Sequence, residues 1–169
     1  MYNAPLNAII AVAPDAVAQA QASDKRRAEG KALGPLDGIP IILKYNIDAT
    51  GMPTTAGSYV LEHNVPAKDA EVTRRLRAAG AVILGKTNLS QWAGWRDVNT
   101  FNGSTVGRSP KNPYDLTRTP AGSSSGSGIA TATSFAAATI GTETSGSITG
   151  PSTINGIVGM KPTIALISR

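Results

Sequence analysis

The chain has 169 residues, enough for one domain with a sizeable core, and 41% of them are hydrophobic, too many for a disordered chain. With no cysteine, disulfides, thiolate chemistry and cysteine metal sites are excluded. The net charge of +5 comes from 16 basic and 11 acidic residues. The basic residues are scattered, and the densest groups, Lys25-Arg26-Arg27 and Arg74-Arg75-Arg77, sit in helix-like stretches with acidic residues nearby. They read as solvated helix faces, so no nucleic-acid partner is expected. No apolar run approaches the length of a membrane span. The apolar N-terminal stretch has no basic residue ahead of it and is broken by Pro5, Pro14 and Asp15. No leader peptide is read there, and a cytoplasmic location is expected.

In chain order, Asp15 opens an Ala-rich helix that ends near Gly30 or Gly34. The turn residues of GPLDG lead into Ile39, Ile41, Ile42 and Leu43, a short apolar run typical of a buried strand. Asp69 opens a second helix, with Val72, Leu76 and Ala79 on one face and Gly80 just past its end. AVILG, residues 81–85, is another buried strand, and strand–helix–strand predicts a parallel crossover. Leu89 to Trp95 reads as one or two helical turns, and Asn99 to Pro120 as a long polar loop of the kind that carries function. Ile129 to Ala138 reads as a buried helix, residues 139–142 as a short strand, and the apolar run at 156–160 as a strand or core segment. There is no internal repeat and no domain boundary.

Two Ser/Gly-rich stretches, AGSSSGSG at 121–128 and GTETSGSITGP at 141–151, flank the apolar residues between them. A linker needs no such neighbours. A helix entry offers unpaired N–H groups, and glycine lets the backbone approach a ligand. The first stretch lacks the Gly-Lys-Ser/Thr ending of a phosphate loop, and no dinucleotide fingerprint is present. The only histidine, His63, lies in a loop-like stretch, which argues against a Ser-His-Asp triad. No carboxylate cluster has metal-ligand spacing. What remains is a nucleophilic serine with lysine as base. Lys44 ends the strand PIILK: its amine either emerges at the carboxyl edge of the sheet, where sites form, or simply marks where the strand reaches water.

Five segments, GPLDGIPIILKYNID, AGAVILGKTNLSQWA, NPYDLTRTPAGSSSGSG, GTETSGSI and NGIVGMKPT, together resemble the amidase signature family, in the right order from about Asn7 to Arg169. The resemblance implies an α/β fold with a mixed central sheet flanked by helices, spanning residues 1–169 as a partial domain. It also implies a Ser–cis-Ser–Lys triad. Matching the family's Ser/Gly motifs places the nucleophile at Ser147, the bridging serine at Ser123 and the base at Lys44. The backbone N–H groups of Thr144, Ser145, Gly146 and Ser147 then form the oxyanion hole.

The implied reaction is amide hydrolysis through an acyl-serine, on a small-molecule amide and without metal or organic cofactor. Two other readings stand beside it. One is an inactive fragment or pseudoenzyme that acts only by association. The other is the glutaminase-like subunit of a tRNA-dependent amidotransferase. Four residues depart from the family pattern: Tyr45 and Glu143 stand where Asp is common, Ser145 where Gly is common, and Thr149 where Arg is frequent. Of these, the loss of charge at Tyr45 is the one expected to slow the reaction. Family members are several hundred residues long, so the chain reads as a fragment, expected to self-associate through exposed sheet edges.

Overall fold

In the computed structural model, which describes residues 3–95 and 102–167, the elements in chain order are α1 (Asn3–Leu6), β1 (Ile9–Val12), α2 (Ala16–Ala28), β2 (Pro40–Lys44), α3 (Glu71–Ala78), β3 (Val82–Thr87), α4 (Ser125–Ala132), β4 (Ala138–Ile140) and α5 (Thr149–Ile154). The strands form one sheet in the order β1-β3-β2-β4. β3 and β4 both run parallel to β2, and β1 runs antiparallel to β3. The sheet is therefore mixed and flanked by helices, and β2–α3–β3 is the expected parallel crossover.

Alternation along β2 separates two faces. Ile41 and Leu43 join Ile83, Ile47, Ala49 and Met52 in the main core, closed by Val72 and Leu76 of α3. Lys44 points the other way, toward α4. Helix ends follow local chemistry. α2 carries Lys25, Arg26 and Arg27 in its last turn, where cations meet the negative end of the dipole, and Gly30 follows at φ +68°. α3 begins at Glu71 instead of Asp69, because Asp69 is drawn off to accept from the Thr50 N–H at 2.7 Å. Asp37 closes the turn ahead of β2. Its buried carboxylate accepts from Arg26 Nε at 3.0 Å and the Leu33 N–H at 2.9 Å, and the Arg26 guanidinium, with help from that N–H, holds its pKa well below the usual range.

Several expectations need correction. β1 is not foreseen: IIAV is short, and what holds it is pairing to β3, with Ile9 opposite Thr87, 78 positions away. The helix expected over Ile129 to Ala138 is instead α4 followed by a reversal. Ser134 at φ +57° turns the chain, and Ala138 already belongs to β4. Within Leu89 to Trp95 the 3-10 segment Gln91–Gly94 is broken by left-handed Trp92 and Ala93. The run at 156–160 is neither strand nor core. It is irregular, with Val158 97% and Met160 77% exposed. The long loop is irregular from Asn102 onward, apart from a single bridge between Ser104 and Arg108, and its residues 99–101 lie outside the described residues.

The first Ser/Gly stretch is not a linker. Ser125 to Ala130 of α4 are all buried. The Gly126 N–H donates to the Asn88 carbonyl at 3.0 Å, and a Cβ on Gly126 would lie 2.5 Å from the Asn88 nitrogen and 2.6 Å from its oxygen. These neighbours are backbone and cannot rotate away. Gly126→Ala is therefore expected to cost about 1–3 kcal/mol of stability, read from chemical denaturation. An unchanged midpoint would show that the helix can lift off the sheet freely.

Candidate active site

Lys44 is wholly buried at the end of β2. Its Nζ donates to Ser123 Oγ at 2.7 Å, to Thr142 Oγ1 at 2.8 Å and to the Thr142 carbonyl at 3.3 Å. Of the two sequence readings, the strand end meets protein and not water. Burial pushes the amine's pKa down from 10.5 to about 7, against the opposing field of Glu143. An amine that is partly neutral at pH 7 can accept a proton, and its neighbours on these three contacts are all neutral acceptors.

Ser123 lies in the segment entering α4, buried, after a cis Gly122–Ser123 peptide and a left-handed Ala121. Its carbonyl accepts from the Ser90 N–H at 3.0 Å, which ties the segment to the end of β3. A Cβ on Gly122 would crowd Ser90 Oγ and lie 3.0 Å from Asn102 Oδ1, so both side chains would have to shift to admit it.

Ser124 joins the two Ser/Gly stretches. Its N–H donates to the Ser147 carbonyl at 3.1 Å, its Oγ donates to the Thr142 carbonyl at 3.2 Å, and the same Oγ accepts from the Thr142 N–H at 3.3 Å. Ser147 is thus tethered to the residue next to Ser123, and its side chain is half-buried. Thr144, Ser145 and Gly146 are exposed, with Gly146 at φ +75°. Among the described residues no hydrogen bond uses the N–H groups of Thr144, Ser145 and Ser147. The Glu143 carboxylate reaches across this turn to its far end.

Glu143 Oε2 also accepts from the N–H groups of Ile148 at 2.6 Å and Thr149 at 2.8 Å, and from Thr149 Oγ1 at 3.3 Å. Desolvation raises its pKa, but these donors outweigh it, and the net shift is downward. The departure at Thr149 thus has a structural place as a donor to this carboxylate. Tyr45 is buried behind the strand. Its ring lies 5.7 Å from Lys86 Nζ, and burial raises its hydroxyl's pKa.

Three residues to which the sequence assigned no role stand in or near the site. Thr142 and Glu143 stand within a motif that was read for its serines. Thr142 Oγ1 receives both Lys44 and Asn46 Nδ2, the latter at 3.1 Å. The third, Lys86, pairs with Leu43 and so faces away from Lys44. It is buried among the Ile47 carbonyl (2.6 Å), Thr54 Oγ1 (3.0 Å) and the Pro53 carbonyl (3.3 Å), which fasten the loop after β2. Burial lowers its pKa to about 8. A second lysine in a strand was visible in GKTN, but nothing in its spacing tells which amine meets a serine. His63 is exposed and lies against Glu62. Among the described residues no group of acidic or histidine side chains could hold a metal, and no helix is long and apolar enough to cross a membrane.

The chain is similar to several proteins of known family. A crystallised peptide amidase from Stenotrophomonas maltophilia superposes with a TM-score of 0.92 at 49% identity, covering 97% of this chain and 34% of that one. A peptide amidase in complex with the competitive inhibitor chymostatin gives 0.94 at 51% identity, covering 97% and 34%. A glutamyl-tRNA(Gln) amidotransferase subunit from Streptomyces coelicolor is 48% identical over 155 residues, 91% of this chain and 30% of the relative. The chain spans 28 to 33% of the length of the curated relatives it matches first. The family model for amidases matches residues 1–169, and the chain belongs to the amidase signature family.

Proposed function

We propose that the protein hydrolyses the C–N bond of a carboxylic amide through an acyl-enzyme on Ser147, with Ser123 and Lys44 relaying the proton. The observation that carries this reading is the 2.7 Å contact between Ser123 Oγ and a buried lysine whose amine is held near neutrality. Neutral Lys44 takes the Ser123 hydroxyl proton while Ser123 takes that of Ser147, and Ser147 Oγ attacks the amide carbon. The oxygen of the tetrahedral intermediate is met by the N–H groups of the 144–147 turn, of which Thr144, Ser145 and Ser147 are uncommitted. The proton returns through Ser123 to the leaving nitrogen, and the C–N bond breaks. Water then attacks the ester by the same relay, releasing the acid and restoring Ser147.

Similarity to peptide amidases supports an amide on a peptide or other small molecule. The similarity to an amidotransferase component supports a second reading, in which the same chemistry releases ammonia from an amide for use by a partner. The exposed Val158, Met160, Ile164 and Leu166 support association, with a partner or with another copy. The test is incubation with C-terminally amidated peptides and with glutamine, reading ammonia release. Release from the peptide amides favours the first reading, and from glutamine alone the second. No release from either, together with no labelling of Ser147 by a fluorophosphonate, would leave the chain as a non-catalytic associating unit.

A further inference from the structure

Residues 144–148 form a polar, largely exposed turn with no apolar side chain to anchor it until Ile148. Ordering each such residue costs about 1–2 kcal/mol of backbone entropy, so something must hold the turn. At its far end, α5 starts at Thr149 with Ile148 as its N-cap, which offers no side-chain acceptor. One group meets these needs. The Glu143 carboxylate receives the N–H groups of Ile148 and Thr149 and the Thr149 hydroxyl, closing the turn from Glu143 to the helix start. Charge-assisted bonds of this kind are about twice as strong as neutral ones.

We propose that Glu143 is the positioning residue of the site: its carboxylate gathers the N–H groups of Ile148 and Thr149 and the Thr149 hydroxyl into one closed turn, and so presents Ser147 and the free N–H groups of Thr144 and Ser145 to substrate. A second consequence is electrostatic. Glu143 is the charged group whose field reaches Lys44. The others facing the amine, Ser123, Thr142 and through Thr142 the Asn46 amide, are neutral, and Tyr45 and Lys86 lie across β2. The same carboxylate that shapes the turn therefore holds the Lys44 amine more basic than burial alone would leave it.

The turn-shaping role stands on the geometry alone, and its link to catalysis rests on the proposed function above. The experiment separates the two. Amide hydrogen exchange is followed in wild type, Glu143→Ala and Glu143→Gln, with the β3 amides of Ile83 and Leu84 as the folding control. In Glu143→Ala the amides of Ile148 and Thr149 should exchange together at least about tenfold faster, with β3 unchanged. In Glu143→Gln, which keeps a carbonyl acceptor but no charge, the Lys44 amine, followed by the NMR shift of its Cε carbon, should titrate at lower pH. Glu143→Asp should restore the wild-type titration. If the chain labels with a fluorophosphonate, Glu143→Ala should slow labelling about a hundredfold, and the acid limb of Glu143→Gln should follow the lysine titration. Unchanged exchange at the two amides, or an unmoved Lys44 titration in Glu143→Gln, overturns the proposal. Both readouts decide it even where the wild type fails to label, an outcome that counts against the proposed function alone. Should Glu143→Ala lose β3 protection and unfold, Glu143→Gln and Glu143→Asp carry the test.

Discussion

Replacing Ser147 by alanine is expected to abolish labelling by a fluorophosphonate and any release of ammonia from an amide. The probe reports one event: a serine oxygen bonds to phosphorus and fluoride leaves, and only an activated serine does this at a useful rate. Several serines crowd the site, but their engagements differ. Ser123 Oγ holds the Lys44 amine, and Ser124 Oγ is spent on both main-chain groups of Thr142. Ser147 sits on the open turn beside unused N–H groups, the arrangement that a developing oxyanion needs. Removing a serine nucleophile from a hydrolase typically costs on the order of 10⁶-fold in rate, so labelling should fall below detection. Ser152, one turn into α5 and buried, is the control: Ser152→Ala should label at close to the wild-type rate. Equal labelling of wild type and Ser147→Ala, with the adduct mapped to another serine, would mean that the nucleophile has been misassigned.

Lys44→Met is expected to slow the same labelling by about 10²–10⁴-fold, the range that a positioned general base contributes. Methionine keeps the length and apolar stem of lysine and removes only the amine. The pH dependence gives the sign. Burial lowers the amine's pKa to about 7, so below that pH it is protonated and cannot accept a proton. The wild-type rate should therefore rise with pH through about 7 and level off above it, and Lys44→Met should lack this limb. A merely structural lysine would give neither effect. Its loss would show in the melt, whereas removing a buried amine that has no carboxylate bonded to it is expected to leave thermal stability equal or higher. A flat wild-type profile between pH 5 and 9, or a Lys44→Met variant that labels normally, would remove lysine from the reaction.

Much of this protein was legible as sequence because the relevant physics is local. The apolar runs at 39–43 and 81–85 marked two strands, and the glycines past α2 and α3 marked where those helices stop, since periodicity and turn chemistry act over a few residues. The ordered motifs were also readable, and with them the amidase signature family. What sequence alone left open about Lys44 was which way its amine faces. Its burial is a sum over β2, the segment entering α4 and the chain after β4, and its contact to Ser123 spans 79 positions. No window along the chain contains that sum.

The same holds for β1, whose four residues become a strand only because β3 supplies the hydrogen bonds, and for the run at 156–160, whose Val158 and Met160 find no cover among the described residues. Glu143 shows the division most plainly. In the sequence it is one acid in a Ser/Gly-rich stretch, a small departure from a family motif. The folded turn points two backbone donors and a hydroxyl at its carboxylate and sets its charge against a buried amine. Residue type determined what chemistry was available. Tertiary structure decided which groups are desolvated and brought together, because burial and electrostatic coupling depend on distance in space and not along the chain.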